Sequence, residues 1–268
     1  MNMNLAYALE MLALTDIGLV RKHNEDAVFA DAGRGVVILA DGMGGYNAGE
    51  VAANMLVSRL AENLDELDAL FSQGGQAPER LDIVQDLEFR INVVNEEIYE
   101  MAHSSIHYSG MGTTLILGLF AHDFLITAHV GDSRCYRLRQ GELTLLTRDH
   151  SLLQAQIDCG LMTPEEARFS NIRNLVTRAV GVERVVESEF NAYDVDSNDI
   201  YLFSSDGLHD TLTDSEIAHV LNTQRGGLSK AAERLVEEAN ARGGVDNISV
   251  ILVRTGERSE AKQHHPAD

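Results

Sequence analysis

Cysteine is scarce, with two in 268 residues, and no histidine or cysteine spacing of the zinc kind occurs. Cys135 lies in a strand-like run and Cys159 near an expected helix end, so both read as reduced, small apolar side chains rather than a disulfide. Basic residues are also few: 21 Lys and Arg stand against 42 Asp and Glu, a formal net charge of -21. That balance argues against nucleic acid and against anionic membrane surfaces as partners, and most of the excess reads as a solvated acidic surface. No run approaches the ~18 apolar residues of a membrane span, and the start Met1-Asn2-Met3-Asn4-Leu5 has neither the basic region nor the apolar block of a signal peptide. A cytoplasmic chain is expected, on which Asn247-Ile248-Ser249 matches the glycosylation pattern by letter only. What remains is ordinary globular composition, 44% hydrophobic and 24% charged, in a chain long enough to bury a large core without staples.

Three apolar runs each meet an aspartate. Val36-Val37-Ile38-Leu39-Ala40 ends at Asp41-Gly42-Met43-Gly44-Gly45, Ile200-Tyr201-Leu202-Phe203-Ser204-Ser205 leads into Asp206-Gly207, and Asp246-Asn247 opens Ile248-Ser249-Val250-Ile251-Leu252-Val253. Short runs rich in branched side chains and bounded by turn signals read as buried strands. If the three are neighbours, with the third running opposite to the others, their carboxylates converge at one edge of a sheet. Carboxylates so placed repel one another, and burying unpaired charge costs enough that a cation is the expected partner. Carboxylate and carbonyl oxygens are hard donors suited to magnesium, manganese or calcium, and magnesium or manganese is the reading here. One Asp-Gly alone reads as an ordinary turn; three strand-end aspartates together weigh against that reading.

Arg21 lies in a polar loop, four residues before Glu25 and five before Asp26. Its planar fork can grip two phosphate oxygens in parallel, which lysine cannot do. The plainer alternative is a surface ion pair with Glu25, worth about 0 to 1 kcal/mol.

Periodicity supplies the elements. Ala52, Leu56, Leu60, Leu64 and Leu67 recur at helical spacing over about 48 to 67, and Val84, Leu87, Ile91, Val94, Ile98 and Met101 mark a second amphipathic helix. About 113 to 147 reads as a four-strand meander. Thr163-Pro164-Glu165-Glu166 is a capping box that predicts a short helix, turn and helix, and Thr213-Asp214-Ser215-Glu216 is another. Ser229 is expected to cap a helix with Ala232, Leu235, Val236 and Ala239 inward. The polar tail 256–268 is expected to be disordered.

Arg21-Lys22-His23-Asn24-Glu25-Asp26, Asp41-Gly42-Met43-Gly44-Gly45, Gly110-Met111-Gly112-Thr113-Thr114, Gly131-Asp132-Ser133-Arg134, Ser205-Asp206-Gly207-Leu208 and Asp246-Asn247 resemble, in order and spacing, the metal-dependent Ser/Thr protein phosphatases (the PPM family, type 2C) over about residues 12 to 254. Asp149-His150-Ser151 through Leu175-Val176-Thr177-Arg178-Ala179-Val180-Gly181 is similar to the bacterial branch. The resemblance implies an α+β fold, a four-layer αββα sandwich of two central antiparallel β-sheets flanked by helices. It implies one catalytic domain over 1–255, with a flap insertion at about 148–187 for substrate or regulatory contacts.

It also implies roles. Asp41 would bridge two ions, Mn2+ or Mg2+, with Asp206 and Asp246 completing one and the Gly42 carbonyl plus a water held by Glu25 completing the other. Arg21 would hold phosphate oxygens and Asp26 would orient waters of the metals. Asp132 and Asp210 match the positions of a third, weaker ion; pairing of Asp132 with Arg134, and capping by Asp210, are the alternatives. The implied reaction is in-line attack on phosphorus by a water whose pKa two cations lower, with no phosphoenzyme. Met43 departs from the animal members, where a histidine is proposed as general acid, because a thioether cannot donate a proton. His23, His129 and His209 are open substitutes, none of them assigned. The implied function is hydrolysis of phosphoserine and phosphothreonine in proteins by a monomer opposing a eukaryotic-like Ser/Thr kinase. A phosphatase dedicated to one anti-sigma-factor antagonist, and a non-catalytic phosphoprotein-binding module, are the alternatives.

Overall fold

The computed structural model describes residues 5–45, 48–64, 79–163, 166, 175–223 and 227–258. Two sheets carry the fold. In spatial order the first contains β1 (Tyr7–Asp16), β11 (Ile248–Arg258), β10 (Ile200–Ser204), β7 (Arg134–Arg139) and β8 (Glu142–Leu145). The second contains β2 (Asp26–Asp31), β3 (Val36–Met43), β5 (Leu115–Ala121), β6 (Phe124–Val130) and β9 (Glu189–Asp194), with the two-residue β4 (Gly112–Thr113) on the end of β3. Every pairing is antiparallel.

Successive strand residues point to opposite faces, and here both faces are apolar. Val37 and Leu39 of β3 meet Tyr201 and Phe203 of β10 and Ile251 and Val253 of β11 in a core between the sheets. Val36, Ile38 and Ala40 turn the other way, onto helices α1 (Ala48–Asn63) and α2 (Arg80–Ser104). Leu202, Val250 and Leu252 turn outward onto α5 (Asp214–Thr223) and α6 (Leu228–Ala241). Helix, sheet, sheet and helix therefore stack as four layers, the expected architecture. Two shorter α-helices are α3 (Leu152–Asp158) and α4 (Asp206–His209), the latter one residue after β10.

Several expectations need correction. The strand-end aspartates do not share one sheet edge: Asp41 leaves β3 in the second sheet, whereas Asp206 and Asp246 flank β10 and β11 in the first. They meet across the corresponding ends of two stacked sheets. The meander is likewise divided, because the chain crosses between sheets at Gly131-Asp132-Ser133, after β6 and before β7. Ser229 lies inside α6, its Oγ donating to Glu233 Oε1 at 2.9 Å, while Gly227 at φ +87° takes the cap position. The last strand runs to Arg258, beyond the expected boundary at 255. Leu64 is buried beyond the end of α1, and Leu67 lies outside the described residues. The Thr213 and Glu216 box forms, and so does that of Thr163 with Glu166, although the helix expected after it lies outside the described residues.

Candidate metal centre

The register of β2 on β3 sets Asp26 directly opposite Asp41. Threonines fix the backbone of Asp41: its N–H donates to Thr114 Oγ1 at 2.9 Å, and its carbonyl accepts from Thr114 N–H at 2.8 Å and Thr113 Oγ1 at 3.0 Å. Thr114 Oγ1 also lies 2.8 Å from Ser133 Oγ, which ties the loop of Asp132 to the same point. Gly42 is required by the backbone packed against it. A side chain there would meet the Gly49 carbonyl at 2.1 Å and the Glu25 carbonyl at 2.7 Å, so a Cβ would push away the first turn of α1 and the Glu25 strand end.

Asp206 opens α4 and Asp246 precedes β11. Asp26 is buried and accepts from Ser205 Oγ at 2.8 Å, and Ser205 Oγ in turn accepts from the Ser249 N–H at 3.0 Å. Burial first, then neighbouring carboxylates, push these groups upward. Asp41 is raised well above the usual carboxylate range by burial and by Asp26, Asp206, Asp132 and Asp246. Asp206 is raised likewise by burial, Asp132, Asp246 and Asp210. Burial lifts Asp26 to about 6 against the bonds from Ser249 and Ser205, and lifts Asp132 to about 7 with help from Asp149. Glu25 is raised by burial, with Arg21 opposing. The carboxylates expected at the site are thus brought within electrostatic reach of one another, as two-sheet convergence requires.

The Arg21 guanidinium pairs with Asp246 Oδ2 at 2.6 Å, not with Glu25, and keeps 48% of its side-chain surface exposed. Arg134 does not serve Asp132 either: it forms a two-pronged pair with Asp149 at 2.9 and 2.7 Å. Asp210 occupies the C-terminal cap of α4, its N–H bonded to the Asp206 carbonyl at 2.8 Å. Met43 ends β3 opposite Gly112. Of the three histidines considered, His23 is exposed, His129 is buried in β6, and His209 contacts Ser204 Oγ through Nδ1 at 3.2 Å and is held neutral by burial.

Two oxygens decide whether a cation fits. Asp26 Oδ1 and Asp206 Oδ1 are buried and accept no hydrogen bond. Orphaned carboxylate oxygens within a ring of mutually repelling carboxylates are what a hard divalent ion completes, and an all-oxygen donor set suits Mg2+ or Mn2+.

Sequence reasoning gave no role to Asn247, which joins the pieces. Its Oδ1 accepts the Glu25 N–H at 2.8 Å, and its Nδ2 donates to the carbonyls of Ile17 at 2.9 Å and His23 at 3.0 Å. The only signal was its place beside Asp246. Also unassigned was the trio His129, His150 and Glu189, whose donor atoms lie within 4.8 Å of one another. Hydrogen bonds assign its protons: His129 Nε2 donates to the Arg148 carbonyl at 2.9 Å, and His150 Nδ1 accepts from Gly131 N–H at 3.2 Å. His150 Nε2 therefore carries a proton towards Glu189, 3.5 Å away, and turns no lone pair into the cluster. The stacked rings, 4.6 Å between centroids, clamp Arg148 and His150 onto the chain around Gly131.

A two-sheet sandwich whose strand ends gather carboxylates beside a guanidinium fits a metal-dependent phosphohydrolase. Residues 20–238 match the model of the family described as protein phosphatase 2C, and the chain belongs to that family. It is 38% identical over 242 residues to a serine/threonine phosphatase, stp, of Listeria innocua, covering 89% of this chain and 93% of that one. The crystal structure of the serine/threonine phosphatase PstP/Ppp of Mycobacterium tuberculosis is similar at a TM-score of 0.82, with 38% identity over 93% of this chain and 99% of that one. The catalytic domain of PstP in complex with two manganese ions is similar at a TM-score of 0.80, with 37% identity over 93% and 99% of the two chains.

Proposed function

We propose that this protein hydrolyses phosphoserine and phosphothreonine in proteins at the aspartate centre, using two divalent cations. The observation that carries the reading is the pair of orphaned buried carboxylate oxygens, on Asp26 and Asp206, in a ring of aspartates beside a half-exposed guanidinium. Asp41, Asp206, Asp246, the Gly42 carbonyl and Glu25 would hold the two ions between them. Asp132 and Asp210 would hold a third. When bound, the ions supply a water of lowered pKa for in-line attack and positive charge for the phosphoryl oxygens.

The chain's own groups do the rest. Arg21 is exposed enough to receive a phosphate dianion, for which it leaves Asp246, and its fork fixes two oxygens at once. Asp26 is fixed by the bond from Ser205 Oγ, and its second oxygen, which accepts no hydrogen bond, is placed to orient waters at the centre. Asn247 keeps the Arg21 loop and Asp246 in register.

No described helix is long and apolar enough to cross a membrane. A cytoplasmic monomer that reverses a eukaryotic-like Ser/Thr kinase is the biological setting this reading favours. A non-catalytic binding module has less support, because each metal-ligand position carries its aspartate. The test is hydrolysis of p-nitrophenyl phosphate and of a phosphothreonine peptide after chelation, with and without Mn2+. Activity restored by the ion on both substrates is expected; silence with Mn2+ and with Mg2+ would reject catalysis.

A further inference from the structure

Three exposed aliphatic residues that neither the core nor the proposed chemistry uses lie on the two loops that carry Arg21 and Asp246. Leu19 is 69% exposed, Val20 64% and Val245 57%. They come from opposite ends of the chain, yet one immediately precedes Arg21 and another immediately precedes Asp246, the two partners of the ion pair at the mouth of the site.

Their loops are fixed to one another. Leu19 N–H donates to the Gly244 carbonyl at 2.8 Å, Gly18 N–H to Asp16 Oδ1 at 2.8 Å, and Asn240 Nδ2 to the same Asp16 oxygen at 3.1 Å. Asn247 adds its bonds to Ile17 and His23, and Arg21 closes the far end on Asp246. The two backbone segments that carry the three aliphatic residues are therefore tied to each other and to the ion pair. Exposed apolar side chains held rigidly beside a reacting centre lower the ordering cost of whatever packs on them.

The occupant follows from continuity with the site. A phosphoresidue whose phosphate reaches Arg21 must carry its polypeptide across the surface next to Arg21, and Leu19 and Val20 are the residues adjoining it in the chain. We propose that Leu19, Val20 and Val245 form a specificity ledge that takes an apolar side chain flanking the phosphoresidue of the substrate. This rests on the phosphoprotein reading above and adds to it a preference in sequence. The aliphatic ledge gives polar flanking residues no hydrogen-bond partner for the water they would lose, whereas a leucine there removes apolar surface on both sides from water.

The test compares two phosphothreonine peptides identical except that the two residues on each side of the phosphothreonine are leucine in one and serine in the other. p-Nitrophenyl phosphate serves as a substrate without a peptide, all three assayed with Mn2+. The wild-type protein is expected to prefer the leucine peptide about 5-fold in kcat/KM, the size of a partly buried aliphatic contact. The triple variant Leu19→Ser, Val20→Ser, Val245→Ser should lose that preference while turning over p-nitrophenyl phosphate within about twofold of wild type, since the backbone bonds that hold the loops remain. Equal kcat/KM of the wild type on both peptides would overturn the ledge, as would a preference that survives in the variant or a uniform loss on all three substrates. Wild-type protein inert towards all three would instead reject the phosphatase reading, and the ledge with it.

Discussion

At the scale of single residues, charge and shape at the centre can be separated by substitution. Asp206 carries a buried oxygen that accepts no hydrogen bond and a carboxyl pushed well above its ordinary range by burial and by its neighbours. Asp206→Asn keeps the volume and removes the charge a cation needs. Turnover with Mn2+ should fall by about 10^3-fold or more, while far-ultraviolet circular dichroism stays unchanged. Retained activity with an unaltered metal requirement would remove Asp206 from the ligand set. Arg21 separates differently. Its pair with Asp246 is half-exposed, and pairs of that kind contribute about 0 to 1 kcal/mol to stability. Arg21→Ala should therefore lower kcat/KM on a phosphothreonine peptide by about tenfold or more while Mn2+ affinity moves far less. Arg21→Lys should recover little of the loss, because an ammonium lacks the two-pronged geometry. Titration of activity against Mn2+, set beside a substrate saturation curve, separates the two effects.

At the scale of elements, the site depends on how loops from distant parts of the chain are fastened together. Asn247 satisfies one backbone N–H and two backbone carbonyls of the segment 17–25. Asn247→Ala would leave these groups without their partners at a buried junction. A loss of about 2 to 3 kcal/mol in urea unfolding is expected, with activity falling as well because Arg21 and Glu25 lose their reference to Asp246. A stability change below about 0.5 kcal/mol would show that solvent replaces the staple, the usual range for plain surface substitutions. The same junction shows what a sequence reveals. The apolar runs of β3, β10 and β11, and the aspartate at the end of each, were legible because run length, branching and glycine punctuation are local. Sheet membership was not. The strands β5 and β6 are buried on both faces, so no alternation says which face meets helices, and the change of sheet at Gly131-Asp132-Ser133 looks like any short turn. Arg21 was legible as a charged fork, but its choice of Asp246 over Glu25 depends on a contact 225 residues apart in the chain. Ser229 reads as a cap because serine favours that role, yet Gly227 reaches the position through its positive φ.

At the scale of the molecule, a small part of the 42 acidic residues is buried together at the centre, where charge is most costly. Burial and repulsion raise Asp132 to about 7, from an ordinary 3.8 that the unfolded chain keeps. Above pH 7 both states are ionised and the native state bears the full penalty of a buried, repelled charge. Between about 4 and 7 the native state binds a proton that the unfolded state does not, so the penalty shrinks steadily as pH falls, and below about 4 it is gone. Asp132→Asn in chelator should therefore raise the thermal midpoint of the metal-free protein most at pH 8. The free energy gained there is on the order of a few kcal/mol, since each pH unit separating the native from the unfolded ionisation contributes about 1.36 kcal/mol. The gain should decline towards pH 5. Adding Mn2+ should reverse the comparison at pH 8, because an ion that binds only the native state stabilises it in proportion to its affinity, and a variant lacking a ligand draws less from it. Differential scanning calorimetry of both proteins at pH 8 and 5, with chelator and with Mn2+, reads all four corners. A variant that is less stable than wild type in chelator at pH 8 would mean that Asp132 is held by favourable contacts rather than strained against its neighbours, and that the aspartate ring does not need a cation to be at rest.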